Sequence, residues 1–211
     1  MEISANSVKE LRERTGAAMM DCKKALVETK GNFNEAVEYL RKKGLSAASK
    51  KAGRATSEGL IGSYVHSNGK VAVLVEVNCE TDFVARNEAF QGFVKDVAMH
   101  IAASNPVCVR AEDMPSDFVA KEKEILLAQM KNDPKMAGKP QQVLEKILEG
   151  KVQKIYDEQC LMNQPFVKNP DQKISDFLNQ TVATIGENIT ITRFARFQLG
   201  ETRKAQQETA N

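Results

Sequence analysis

Proline is missing from the first 105 residues: the 6 prolines of this 211-residue chain begin at Pro106. Long helices are therefore unobstructed over the first half. Tryptophan is absent, and His66 and His100 are the only histidines. They are the only side chains whose ordinary titration falls near neutrality, and neither stands in an H-E-x-x-H or other metal-ligand pattern, so no metal site is expected. Cys22, Cys79, Cys108 and Cys160 form no C-x-x-C pair, which argues against a zinc site of the usual spacing and against a disulfide scaffold. Also missing are the G-x-x-x-x-G-K-[ST] phosphate loop, the G-x-G-x-x-G fingerprint and the G-x-S-x-G nucleophile elbow. Composition thus offers no support for an enzyme, and no cofactor is expected. Long apolar runs are lacking too, since stretches such as Val71–Val75 fall far short of the roughly 20 residues that span a bilayer. Met1–Ser4 has neither the basic nor the apolar region of a secretory leader, so the expectation is a cytoplasmic chain without a membrane partner.

What is present is ordinary globular composition, with 42% apolar and 27% charged residues, and a length that suits one or two domains. The net charge of +2 conceals an asymmetry. Residues 1–57 carry 12 Lys and Arg against 7 Asp and Glu, and the remainder carries 18 against 21. The excess lies in Arg41, Lys42, Lys43, Lys50, Lys51 and Arg54, which read either as a nucleic-acid footprint or as a solvated basic linker. No aromatic residue is interleaved there for base stacking, and the acidic remainder argues against nucleic acid as a partner.

Three short helices fit the opening. Ser7 is expected to cap a segment with Val8 and Leu11, Thr15-Gly16 interrupts it, and Met20, Lys24 and Val27 space a second that Gly31 ends. Asn32 or Asn34 caps a third, whose stripe is Ala36, Val37 and Leu40. Few large side chains contribute, so this unit is expected to be marginally stable alone. The period then changes to two. Ile61–His66 and Lys70–Cys79 flank Ser67-Asn68-Gly69, which predicts a hairpin with a type I′ turn. Val71, Val73, Val75 and Val77 share one face and should be buried. Ile189–Leu199, rich in β-branched and aromatic residues, predicts a third strand that Gly200 stops. Phe90, Phe93, Val94, Val97, Ala98 and Ile101 recur at helical spacing to cover the sheet. After Pro115, Val119, Leu126 and Met130 mark one narrow stripe. Leu144, Leu148, Val152, Ile155 and Met162 mark another, with Asp133-Pro134 to Lys139-Pro140 between them, which predicts an antiparallel helical hairpin that protrudes. Glu201–Asn211 reads as a frayed tail.

The opening bundle resembles a ubiquitin-associated domain, through Met19-Met20, Ala25-Leu26 and Gly31–Leu40. Two longer segments carry a broader likeness: Leu11–Leu26 (LRERTGAAMMDCKKAL) and Glu76–Asn87 (EVNCETDFVARN). Together they resemble the elongation factor Ts family, with further likeness at Ala98–Ser104, Gln164–Val167 and Ile185–Ile189, in the family's order and over almost the whole chain. The longer members carry two related sheet-and-helix subdomains in the core. Here one hairpin precedes the terminal strand, which resembles the short form. The fold expected is α+β: a UBA-like three-helix bundle with basic linker over 1–57, then an α+β dimerisation core over 58–199. That core is a small antiparallel sheet covered by helices with a coiled-coil hairpin at about 115–163, and a flexible tail follows over 200–211.

The resemblance implies guanine nucleotide exchange on the GTPase elongation factor Tu, without bond-making or bond-breaking chemistry, by a chain that pairs as a homodimer. Thr81, Asp82, Phe83 and Val84 would displace Mg²⁺ from the partner, with Phe83 as a wedge. Arg12, Met19, Met20 and Lys23 would grip the partner's nucleotide domain, and His100, Val167, Lys168, Ile185 and Gly186 would be further contacts. The residues by themselves leave alternatives. Asp82 could cap a helix with Phe83 in the core, the methionines could be bundle packing, and His100 a satisfied core histidine. A basic RNA-binding protein, an adaptor whose head is the functional part, and an enzyme using Cys79, Asp82 and His100 are the competing classes.

Overall fold

The computed structural model describes residues 3–133 and 139–201. Contacts divide the chain into two compact units, one built from residues up to Ala102 together with those from Ser175 onward, the other from Ala103–Ile174.

The first unit opens with α1 (Ala5–Thr15), α2 (Met19–Glu28) and α3 (Phe33–Ser49). Ser4, not Ser7, caps α1: the Ser7 amide donates to Ser4 Oγ at 3.1 Å. A capping side chain sits just before the first helical residue and reaches the amide three positions on, which makes Ser7 the capped residue. Gly16 closes the helix in the left-handed region, and Asn32 caps α3 by accepting from the Glu35 amide. Val8, Leu11, Cys22, Ala25, Leu26, Ala36 and Leu40 make the bundle's core. Only Leu11, Leu26 and Leu40 are large, so each supplies an appreciable share of it, about 2 kcal/mol for a buried leucine.

The basic stretch is solvated, but only its end is a linker: Arg41, Lys42 and Lys43 stand exposed on α3, and Lys50 and Arg54 lie past it. α3 runs on to Ser49 through the basic stretch, with Ala48 buried, because Leu45, Ala47 and Ala48 keep helical propensity high and the lone Gly44 costs only about 1 kcal/mol. Most of its charges are paired: Arg41 with Asp176 at 2.7 Å, Lys43 with Asp21 at 2.5 Å, Lys42 with Glu38 at 3.8 Å. Arg54, past the helix, pairs with Glu80 at 3.4 Å.

Strands β1 (Glu58–Val65) and β2 (Val71–Cys79) form the hairpin, and the last strand, here β5 (Ile189–Gln198), pairs antiparallel with β2, giving the order β1-β2-β5. The turn differs from type I′. The Gly69 amide donates to His66 O at 2.7 Å, and only Gly69 of the turn residues has positive φ. Five residues, His66–Lys70, lie between the strands, and the His66 amide donates to Val71 O at 2.9 Å, so the loop is longer than the two residues of a type I′ turn and Gly69 alone takes a left-handed position. A register shift between Glu76 and Val77 leaves Thr192 as the extra residue of β5.

Val73, Val75, Val77, Cys79, Ile189 and Ile191 are buried on the inner face, as are Phe90, Phe93, Val94, Val97, Ala98 and Ile101 of α5 (Glu88–Ser104). Gly62 shows how close α5 comes: a Cβ there would stand 2.3 Å from Val94 Cγ1. A single helical turn, α4 (Asp82–Ala85), joins β2 to α5, and α8 (Ile174–Ile185) leads into β5, its Phe177 ring 5.0 Å from that of Phe93.

The second unit holds α6 (Ser116–Asn132) and α7 (Gln141–Gln159), which touch one another, and a small β3 (Pro165–Phe166) and β4 (Asn169–Lys173) ribbon. Met130 is buried, while Leu126, Leu144, Leu148, Val152 and Ile155 are half-buried, so the two narrow stripes are real. Cys108 and Cys160 pair as an isolated parallel bridge, with Sγ atoms 3.5 Å apart. The break expected around Pro134, and the tail from residue 202, lie outside the described residues.

Candidate functional site

Where β2 ends, the chain must turn, and the residues that turn it present Phe83. Cys79, buried, donates its thiol to Thr81 O at 3.2 Å. Thr81, not Asp82, caps α4, its hydroxyl accepting from the Val84 amide at 3.4 Å. A cap on the residue before Asp82 starts the turn one position earlier and rotates Phe83 away from the sheet. Its ring is 80% exposed, although burying it would be worth a few kcal/mol. Asp82 pairs with Arg86 at 3.0 Å along the helix surface, and Val84 is half-buried beneath. The result is one large apolar ring with a carboxylate beside it.

Glu187, in the bend between α8 and β5, holds this turn. Its Oε2 accepts from the amides of Glu80 (3.1 Å) and Thr81 (3.0 Å), and its Oε1 accepts from the Thr81 hydroxyl (2.7 Å). Glu80 reciprocates, its Oε1 accepting from the Asn188 amide at 2.6 Å, while Asn188 Nδ2 donates to Arg54 O at 2.8 Å. Ile185 and Gly186, immediately before Glu187, are thereby brought beside Thr81–Val84; Ile185 is half-buried and Gly186 exposed. The head, the α1–α3 bundle, is tied to α8, the helix that leads to Glu187: Gln180 and Thr184 of α8 donate to Thr15 O and Gly16 O.

On the head, Arg12 and Lys23 are exposed, Met19 is partly exposed and Met20 is 74% exposed. A methionine so open does not pack the bundle, whose core is closed without it. His100 is different. It is 0% exposed, enclosed on the face of α5 that carries Val97 and Ile101. Its place one residue before Ile101 and three after Val97 puts it inside the core stripe, so its ring has no surface to offer a partner. Val167 and Lys168 lie in the turn between β3 and β4, both exposed, in the second unit.

Nucleophilic chemistry at Cys79 is disfavoured. Burial first, and then the charge on Glu187, pushes its thiol above the ordinary value, so the reactive thiolate is scarce at neutral pH. Among the described residues no group of three or more His, Cys, Asp and Glu is placed to hold a metal ion, and no helix is long and apolar enough to cross a membrane. Sequence reasoning missed Glu187, Glu80 and Asn188. The signals were the two quoted stretches: Glu76–Asn87 contains Glu80, and in Ile185–Ile189 a carboxylate and an amide follow a glycine that ends a helix.

Comparison with known proteins bears on the same segments. The family model described as "Elongation factor TS" matches residues 2–201. The chain is 61% identical over 201 residues to the elongation factor Ts of Geotalea daltonii and 59% to that of Geobacter sulfurreducens, in each case covering 95% of this chain and 91% of the relative. Against the elongation factor Ts of an Anaeromyxobacter strain it is 58% identical over 207 residues, with 98% and 93% covered. With the match running from the bundle through the exposed Phe83 turn to the last strand, the chain belongs to the elongation factor Ts family.

Proposed function

We propose that this translation elongation factor is a guanine nucleotide exchange factor for the GTPase elongation factor Tu. In this reading Thr81–Val84 enters the partner near its Mg²⁺ and phosphate site. GDP is released, GTP rebinds, and no bond of the nucleotide is made or broken. The observation that supports it is Phe83, a large apolar ring held out in solvent on a capped turn. A large ring fixed in solvent on a capped turn is placed to insert into an apolar pocket of a partner. In such GTPases the phosphate loop and Mg²⁺ hold the β-phosphate, so a wedge that disturbs either loosens GDP. Linkage requires the converse: bound GDP weakens the exchange factor by the same factor.

Arg12, Met19, Met20 and Lys23 would make the first grip, and Ile185, Gly186, Val167 and Lys168 the further contacts; buried His100 would act only by anchoring α5. The head as a UBA-like bundle, α6 and α7 as a protruding coiled coil, and a cytoplasmic site of action belong to the same reading. So does a homodimer, supported by the outer face of the sheet. Cross-strand rows there set Val65 beside Ala72 and Phe197, and Leu74 beside Ala195. Val65, Leu74 and Phe197 are all exposed, forming an apolar sheet face that a second copy would cover.

The test is stopped-flow release of a fluorescent GDP analogue from elongation factor Tu. The intact chain should accelerate release by orders of magnitude, and Phe83→Ala should lose about tenfold or more of that, corresponding to ~1.4 kcal/mol of barrier. Unchanged release with the intact chain would sink the reading.

A further inference from the structure

We propose that Glu187 is the positioning residue of the Thr81–Val84 turn: its carboxylate sets the direction in which Phe83 stands, and through it the rate at which nucleotide leaves the partner. The inference rests on the exchange reading above.

The turn cannot hold its own direction. α4 has four residues, and the helical bonds that close it are Ala85 to Thr81 O at 3.3 Å and Arg86 to Asp82 O at 3.2 Å. A nucleus so short is unfavourable by itself. The Asp82–Arg86 pair is exposed and adds little. Half-buried Val84 and Ala85 pack α4 against β1 and β2, and the polar hold is at the N-terminal end, where three donors converge on one carboxylate: the Glu80 amide, the Thr81 amide and the Thr81 hydroxyl. A carboxylate at a helix start satisfies orphan amides and complements the positive end of the helix. The same hydroxyl that binds Glu187 Oε1 also accepts the Val84 amide, so Glu187 fixes the cap and the cap fixes α4.

Glu187 is itself placed by its neighbours. α8 ends with the Gly186 amide on Val182 O at 2.9 Å, and Gly186 takes φ +91, which turns the chain back toward β2. The reciprocal bond from the Asn188 amide to Glu80 locks the two segments together. Because α8 also holds the Thr15-Gly16 turn of the head, Glu187 stands between the proposed gripping surface and the proposed wedge.

A residue that only kept the fold intact would lower exchange independently of Phe83; a residue that acts through Phe83 would not. The experiment therefore compares the full chain with Glu187→Ala, Glu187→Gln, Phe83→Ala and the double variant Glu187→Ala/Phe83→Ala, on elongation factor Tu loaded with the fluorescent GDP analogue. Expected is a loss of about tenfold in maximal release rate for Glu187→Ala, with the half-saturating concentration changed less than about twofold. Glu187→Gln should retain most of the rate, because its amide oxygen still accepts both backbone N–H groups. In the Phe83→Ala background the further loss from Glu187→Ala should shrink to within about twofold. On the free chain, hydrogen exchange should show the Glu80 and Thr81 amides losing protection in Glu187→Ala while those of Val73–Val77 keep theirs. Multiplicative losses in the double variant, or full exchange activity in Glu187→Ala with those amides deprotected, would overturn the proposal. An intact chain that fails to accelerate release would instead overturn the exchange reading on which it rests.

Discussion

Phe83 and Leu11 are both large apolar residues near a cap, and the structure assigns them opposite fates. Leu11 is fully buried in the head. Leu11→Ala should cost about 2–5 kcal/mol in denaturant unfolding of that bundle. Phe83→Ala removes a ring that touches little, so the melting temperature should stay within about a degree while exchange falls. Gly62, inside β1, matters for the side chain it lacks. Val94 Cγ1 occupies the place where a Cβ would go, and Gly62→Ala should cost about 1–3 kcal/mol by forcing α5 off the sheet, measured by chemical denaturation. Of these, Leu11 was legible from spacing, whereas the residues around Phe83 left it open between core and solvent and only the resemblance over Glu76–Asn87 pointed outward. Gly62 was not, because a glycine in a strand announces a close approach without saying what approaches. His100 shows the same limit. Periodicity left it open between core and contact, and burial depends on which face of α5 meets the sheet.

At the scale of elements, the strands and long helices were readable because their patterns repeat: Val73, Val75 and Val77 alternate, and the α5 stripe recurs five times over. The ribbon of β3 and β4 was not, since two residues of β3 cannot show a period of two and the five of β4, Asn169–Lys173, carry no alternating apolar side chain. Nor was the length of α3, where a run of charges suggested solvent and the pairing with Asp21 and Asp176 came from residues far along the chain. The Cys108–Cys160 bridge joins the segments before α6 and after α7, and it carries a pH signature. Burial, with the adjoining Cys160 thiol, pushes Cys108 from 9.0 up to about 12. The folded chain thus keeps a proton that the unfolded chain releases. Its stabilising contribution is complete below the ordinary thiol value and is lost as pH rises from 9.0 toward about 12. Unfolding free energies of the intact chain and Cys108→Ala, measured at pH 8 and pH 10.5, should show the difference moving against the intact chain at the higher pH.

For the molecule as a whole, the outer sheet face decides the proposed assembly. Phe197→Asp puts a charge among Val65, Ala72 and Leu74, where a second copy would have to desolvate it. Sedimentation should then show a dimer for the intact chain and a monomer for the variant, with a fold unchanged by circular dichroism, since the residue is 65% exposed. A monomer for both would remove the dimer from the reading. The sheet has one further consequence, in time and not in space. β2 is the central strand, and Cys79 pairs with Ile189. As the chain leaves the ribosome, the β1–β2 hairpin and α5 are complete long before β5 exists, so β2 waits with an open edge while the whole of the second unit is made. Until that last strand arrives, Glu80 and Thr81 also wait for Glu187. A nascent chain halted before Ile185 would carry the Phe83 turn without the residue that holds it, so the proposed wedge is finished only after the second unit and α8 have been made.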